Sequence, residues 1–152
     1  MSFSISLHVL AAIIWVGGMF FAHMILRPSA VLVLEPPLRL NLWIQVFKRF
    51  FFWVWLSIFL ILATGYWMVF SFYGGFSNLP IHIHIMHGLG ILMVFIFMHV
   101  FFAPYRKLRH AVIVQDYPEG AKRLGQIRTL VGINILLGLA TAATAAAGRY
   151  LF

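Results

Sequence analysis

Four stretches of the chain, residues 4–26, 50–72, 81–103 and 127–148, run almost without charge for close to the length a helix needs to cross a bilayer. Roughly 20 residues rising 1.5 Å each span about 30 Å of hydrocarbon, so each stretch reads as one membrane crossing. Unpaired backbone groups cannot face lipid, and the alternating pattern of a barrel strand is missing, so the crossings are expected to be helices. With 63% of its 152 residues hydrophobic, the chain has more apolar surface than a soluble domain of this size can hide, and lipid must cover the rest. The expected fold is all-α: an integral membrane, up-down four-helix bundle forming a single domain over residues 1–152. Its helices are expected at about 4–26, 37–72, 81–103 and 124–148.

The net charge of +8 is concentrated in two connections. Arg27, Arg39, Lys48 and Arg49 follow the first span, and Arg106, Lys107, Arg109, Lys122 and Arg123 follow the third. The connection at 73–80 and the N-terminal tail have neither Lys nor Arg. By the positive-inside rule both basic connections are cytoplasmic, which places the two termini on the periplasmic side of a bacterial inner membrane. The same charges need no nucleic-acid partner to explain them. The first span has no basic n-region and no small-residue cleavage site, and it ends at Arg27-Pro28 like a cytoplasmic boundary, so it reads as a span and not as a secretory signal.

Sliding the sequence against itself by 76 residues superimposes His8 on His84, His23 on His99 and Pro28 on Pro104. This pattern fits a parallel two-helix internal repeat, with an axis along the membrane normal. The second helix is expected to begin near Pro37, a residue suited to a first turn. Trp43, Trp53, Trp55 and Trp67 read mostly as interfacial anchors. Ser77 or Asn78 is expected to cap the third helix, with Pro80 in its first turn. The segment Asp116-Tyr-Pro-Glu-Gly120 breaks the third connection. In the fourth span Gly132, Gly138 and the small residues from Ala140 to Gly148 permit close helix approach, and Asn134 is expected to bond a neighbouring helix.

There is no cysteine, and the three acidic residues, Glu35, Asp116 and Glu119, all lie in connections. Thiolate sites, thiol catalysis and carboxylate-based proton relays within the membrane are therefore excluded. What the spans do contain is imidazole, a common ligand for haem iron and other metals. His8 and His84 are expected at one depth near the outer face, and His23 and His99 at one depth near the inner face. Within each helix the two histidines are about 22 Å apart and about 60° offset, so they share a face. Ala11, Ala12, Trp15, Met19 and Ala22 join that face in the first helix. His87, Gly88, Ile91, Phe95 and Met98 join it in the third. The first and third helices are diagonal in such a bundle, so the expectation is one or two b-type haems held by paired histidines from the two helices. His87, one turn below His84, competes with it as the outer ligand. His82 and His110 read as interfacial residues.

The stretch Leu7-His-Val-Leu-Ala-Ala-Ile-Ile-Trp15-Val-Gly-Gly18 resembles the first helix of the copper resistance protein D family and of the related bacterial membrane protoporphyrinogen oxidases. His8, Trp15 and Gly18 carry the spacing. The third helix, with His87 and His99, and the run Tyr105-Arg-Lys-Leu-Arg109 resemble the corresponding segment of the same family. The oxidase resemblance implies a haem enzyme acting on protoporphyrinogen through His8 and His87. The chain departs from that pattern, since Gly88 and Leu89 stand where a lysine is expected, and this counts against oxidase activity. The copper-resistance resemblance implies copper passage at the inner membrane.

Two readings follow, with a subunit that braces a larger membrane complex as a third class. One is a di-haem cytochrome, an oxidoreductase in the electron-transfer sense, exchanging electrons with quinone or another redox protein. The other is a copper-handling permease in which His82, His84, Met86 and His87 offer imidazole and thioether to copper at the outer end.

Overall fold

The computed structural model describes residues 2–151. The first rod joins α1 (Ser2–Phe21), a π-helical segment (Ala22–Leu26) and α2 (Arg27–Val33) without a break. The second is α3 (Pro36–Phe72). The third is α4 (Ile81–Phe102), continued past Ala103 by the short α5 (Pro104–Ile113), and the fourth is α6 (Tyr117–Leu151). Four helices are long and apolar enough to cross a membrane, and no more than 28% of any one's apolar window is buried within the protein, so lipid must cover the outer faces. The chain is an all-α, multi-pass membrane protein.

Prolines explain where the rods bend and stop. Pro28 has no N–H for the carbonyl of Met24, and its ring crowds that carbonyl. The helix responds by widening, so that the Arg27 N–H bonds the carbonyl of Ala22 five residues back, and the rod runs on to Val33, past the end expected at Arg27-Pro28. At Pro104 the outcome is different. Ala103, forced off helical geometry by the proline after it, adopts φ −114° and ψ −87°, and α4 ends. Glu35 is likewise extended ahead of Pro36, which opens α3 one residue before the expected start.

Three other termini show their causes. In the turn before α4, Gly74 and Gly75 take φ of +70° and +121°, conformations that L side chains resist. The Asn78 amide donates to the Tyr73 carbonyl at 3.1 Å, so the expected Ser77 or Asn78 cap is not made and Pro80 holds the N-cap position. α5 ends in a Schellman motif. Gln115 is left-handed at φ 58°, its N–H bonds the Val112 carbonyl, and the Asp116 N–H bonds that of Ala111. α6 then begins at Tyr117, seven residues before position 124. Asp116 Oδ1 accepts the Glu119 N–H at 3.2 Å, and Pro118 sits in the first turn.

The rods pack as two hairpins. α1 lies along α3, and α4 lies along α6, which also carries α5. The seam between α3 and the α4–α5 rod is propped by rings. Phe51 meets Phe97 at 5.3 Å and Tyr105 at 4.9 Å between centroids, while Trp55 meets Phe97 at 5.2 Å and Phe101 at 5.5 Å. Trp43 and Phe47 extend this column along α3. Trp43 is buried and Trp55 half-buried, so both belong to the interior and not to the interfacial set, whereas Trp53 and Trp67 are exposed as anchors should be. Such ring pairs add about 0.5–1.5 kcal/mol each beyond the area they bury.

The opposite seam, between α1 and α6, is closed by small residues. A Cβ on Gly138 would lie 2.7 Å from Val16 Cγ2 and 3.2 Å from Met93 Cε. Asn134, buried beside this contact, donates to the Met93 carbonyl of α4 at 3.3 Å, as its position in an apolar span requires. Valine is stiff at χ1 in a helix and cannot turn away from an added methyl. Gly138→Ala is therefore expected to destabilise the protein by about 1–3 kcal/mol in thermal unfolding in detergent. Gly17→Ala, where nothing lies within 4 Å of the new Cβ, should leave the melting temperature unchanged or raise it slightly. Equal melting temperatures for the two variants would show that Gly138 is not a packing requirement.

Candidate functional site

At the end of the bundle where α1 begins, His8 is the best-organised polar side chain. Its Nδ1 lies 2.9 Å from Thr64 Oγ1 on α3, and the Thr64 hydroxyl is itself close to the Leu60 carbonyl at 2.5 Å and that of Ile61 at 3.3 Å. A hydroxyl has one proton. Since it is donated to the helix carbonyls, Thr64 can only accept from the imidazole, so Nδ1 carries the hydrogen and Nε2 keeps its lone pair. Gly65 leaves space beside the ring, because a Cβ there would stand 3.4 Å from His8 Cε1. Among the described residues no hydrogen bond reaches Nε2, and the atom is not sealed inside the protein.

The other histidines at this end are dispersed. His84 is exposed, and Met86 is half-buried. His87 is half-buried, with its ring edge-to-face against Tyr66 at 5.6 Å and Phe76 at 5.4 Å. His82 packs against the backbone of Gly148, where a Cβ would fall 2.5 Å from its own, and its buried Nδ1 has no partner. It is thus a helix-packing residue more than an interfacial one.

At the opposite end His23 sits in the π-helical segment and turns to α6, where an added Cβ on Gly132 would come 3.3 Å from its Cε1. Arg27 and Arg128 are near enough for their charges to act on its ring. His99 is exposed at the edge of a groove shared with Lys107 of α5 and Arg123 of α6, and His110 is exposed on α5.

The expected pairing across the diagonal is therefore not made. On α1 the face read from the sequence is correct, since Ala11, Trp15, Met19 and Ala22 are all buried. On α4 it is inverted. Met93, Phe97 and Val100 face inward, and at 100° per residue they stand roughly half a turn from His84 and Phe95 and about a third of a turn from His99. His8 goes to Thr64, His23 to Gly132, and His84 and His99 point away from the core. Between the diagonal helices Trp15 and Phe97 meet at 6.3 Å, and the void around them and Asn134 is about 10 Å³, room for one water at most. A macrocycle needs a cavity of several hundred Å³. The histidines present do not fit a bis-histidine haem in this core. Nor do His, Asp and Glu among the described residues form any group of three that can hold a metal ion.

Thr64 and Tyr66 are the partners that the sequence reading missed. The signal was there: Thr64-Gly65 is a polar and small interruption late in the apolar run 50–72.

Four helices long and apolar enough to cross a membrane, with no group of three His, Asp or Glu side chains among the described residues placed to hold a metal ion, define a multi-pass membrane protein. Residues 44–147 match the family described as copper resistance protein D, and the chain belongs to that family. The match takes in most of α3 and all of α4 and α5, and ends within α6, leaving the first rod outside. Over 141 residues, 87% of this chain and 92% of the relative, it is 31% identical to a protein of Aquifex aeolicus (strain VF5) described as uncharacterized. No solved structure matches it.

Thr64→Val keeps the branched shape and removes the hydroxyl. The His8 ring is expected to lose its uniform Nδ1–H state in nitrogen NMR of the detergent-solubilised protein, with a loss of about 1 kcal/mol in stability. An unaltered ring spectrum would mean that Thr64 does not set the tautomer.

Proposed function

We propose that this protein handles copper at the bacterial inner membrane, receiving the ion as cargo at the periplasmic end of the bundle. The observation that carries the reading is the Thr64–His8 hydrogen bond, which leaves His8 Nε2 deprotonated and open to a ligand. A second-sphere bond of this kind orients a metal-binding imidazole before the metal arrives. Met86 and the imidazoles of His84 and His87 supply further soft and borderline donors at the same end. Because these ligands are separate, each holds copper weakly, which suits an ion passed along and not a resident centre. Family membership supports the same reading. The basic residues beyond the inner ends of the spans support an orientation with both termini in the periplasm.

The cytochrome reading, with haem b and quinone or a redox protein as partner, requires a cavity where Trp15, Phe97 and Asn134 leave about 10 Å³. One preparation separates the two readings. Protein purified in mild detergent and titrated with Cu(I) against a competing chelator is expected to bind copper, with affinity falling at least tenfold in His8→Ala and about tenfold in Thr64→Val. The visible spectrum should show no Soret band. A sharp Soret band with reduced α and β bands and one or two haems per chain would reverse the assignment. So would copper binding indifferent to His8.

A further inference from the structure

Where α4 gives way to α5, an open groove of about 460 Å³ runs against the basic first part of α6. Its polar lining is His99, Lys107, Arg123, Gln126 and Thr129. Ala103, Pro104 and Leu130 make its apolar wall. We propose that this groove binds the phosphodiester headgroup of an anionic phospholipid.

The argument begins with the proton inventory. Arg123 Nε donates to Glu119 Oε1 at 2.5 Å, and its Nη1 donates to Gln126 Oε1 at 3.1 Å. These bonds use the carboxylate beside the groove and the acceptor end of the amide, leaving the Gln126 NH2 free to donate. Thr129 gives its proton to the Gly125 carbonyl at 3.2 Å, which fixes that hydroxyl within α6. Lys107 is exposed, and among the described residues its ammonium forms no hydrogen bond or ion pair. His99, also exposed, presents its ring N–H. The groove thus offers an ammonium, an amide NH2 and an imidazole N–H, and one of its two cations lacks a counter-charge. A set with donors in excess and one net positive charge selects an anion with several acceptor oxygens.

The place in the fold selects the carrier. The groove opens where the apolar run 81–103 ends and the basic connection begins, the level at which phosphates of the bilayer lie. Its wall of Ala103, Pro104 and Leu130 matches the glycerol and first methylenes of a lipid, surface that a free phosphate ion has no means to use. The other basic connection lacks this setting, since Lys48 and Arg49 are exposed on one straight stretch of α3.

The test uses the full chain in mild detergent with native mass spectrometry. Added phosphatidylglycerol is expected to bind at least tenfold more tightly than phosphatidylcholine, and Lys107→Glu should weaken it about tenfold. Lys48→Glu makes the same charge change at an exposed site and should leave the affinity unchanged. Helical circular dichroism and melting temperature confirm that both variants fold. Millimolar inorganic phosphate should not displace the lipid. Equal affinity for the two lipids, equal loss in both variants, or displacement by inorganic phosphate would each overturn the proposal.

Discussion

The edge-to-face packing of Trp55, Phe97, Phe101 and Phe51 holds α3 away from the α4–α5 rod, and the geometry of the bundle follows from that separation. In lipid, apolar helices gain nothing by hiding apolar surface from one another, so shape and ring contacts decide how close they come. Large rings on one seam and glycines on the other give a bundle of uneven spacing. Gly138 and Gly132 let α6 approach α1, while the opposite side is propped open and filled. Filling is the important part. Rings wide enough to separate two helices also occupy the space that separation creates, and the centre is left with a void no larger than a water molecule.

That filling determines what the histidines can do. An imidazole cannot reach the middle of a core already occupied by Trp15, Met19 and Phe97, so the histidines stay at its margin. His8 finds a threonine, His23 a glycine notch beside two arginines, and His87 two aromatic rings. The result is a set of separately positioned imidazoles, one of which has a defined tautomer. In the copper handling proposed above, ligands that act one at a time suit an ion that must be released again better than a cage that closes around it.

The amino-acid sequence was readable wherever lipid imposes its own rule. Span number, all-helical class, the inward face of α1, the start of α3 and the Asn134 bond all follow from residue type and spacing. The face of α4 did not, because residues 81–103 are apolar on all sides and amphipathic period exists only where one side meets water. Histidines were the only polar marks on that helix, and taking them for its inward face inverted it. The early start of α6 was legible after all: Asp116 and Glu119, three apart with Pro118 between them, form an N-terminal signature that the basic residues after them obscured. Thr64 was harder to find, since a threonine within a span bonds its own helix by default, and only the fold brings a ring to its oxygen.

The two halves of the chain show how little a shared spacing guarantees. Both place a proline five residues after an inner histidine, and in both the lost N–H must be compensated. In the first half the preceding turn absorbs the loss by widening to π geometry, which keeps the rod continuous with His23 turned onto α6. In the second half Ala103 takes up the strain, and the chain swings into α5, whose buried Leu108 and Ala111 close on α6 at Gly120 while Tyr105 meets Phe51 of α3. The swing opens the basic groove and leaves His99 at its edge. One sequence device thus turns a histidine into the protein in one half and out toward the membrane surface in the other. Both histidines still lie beside cations, His23 near Arg27 and Arg128 and His99 in one groove with Lys107 and Arg123.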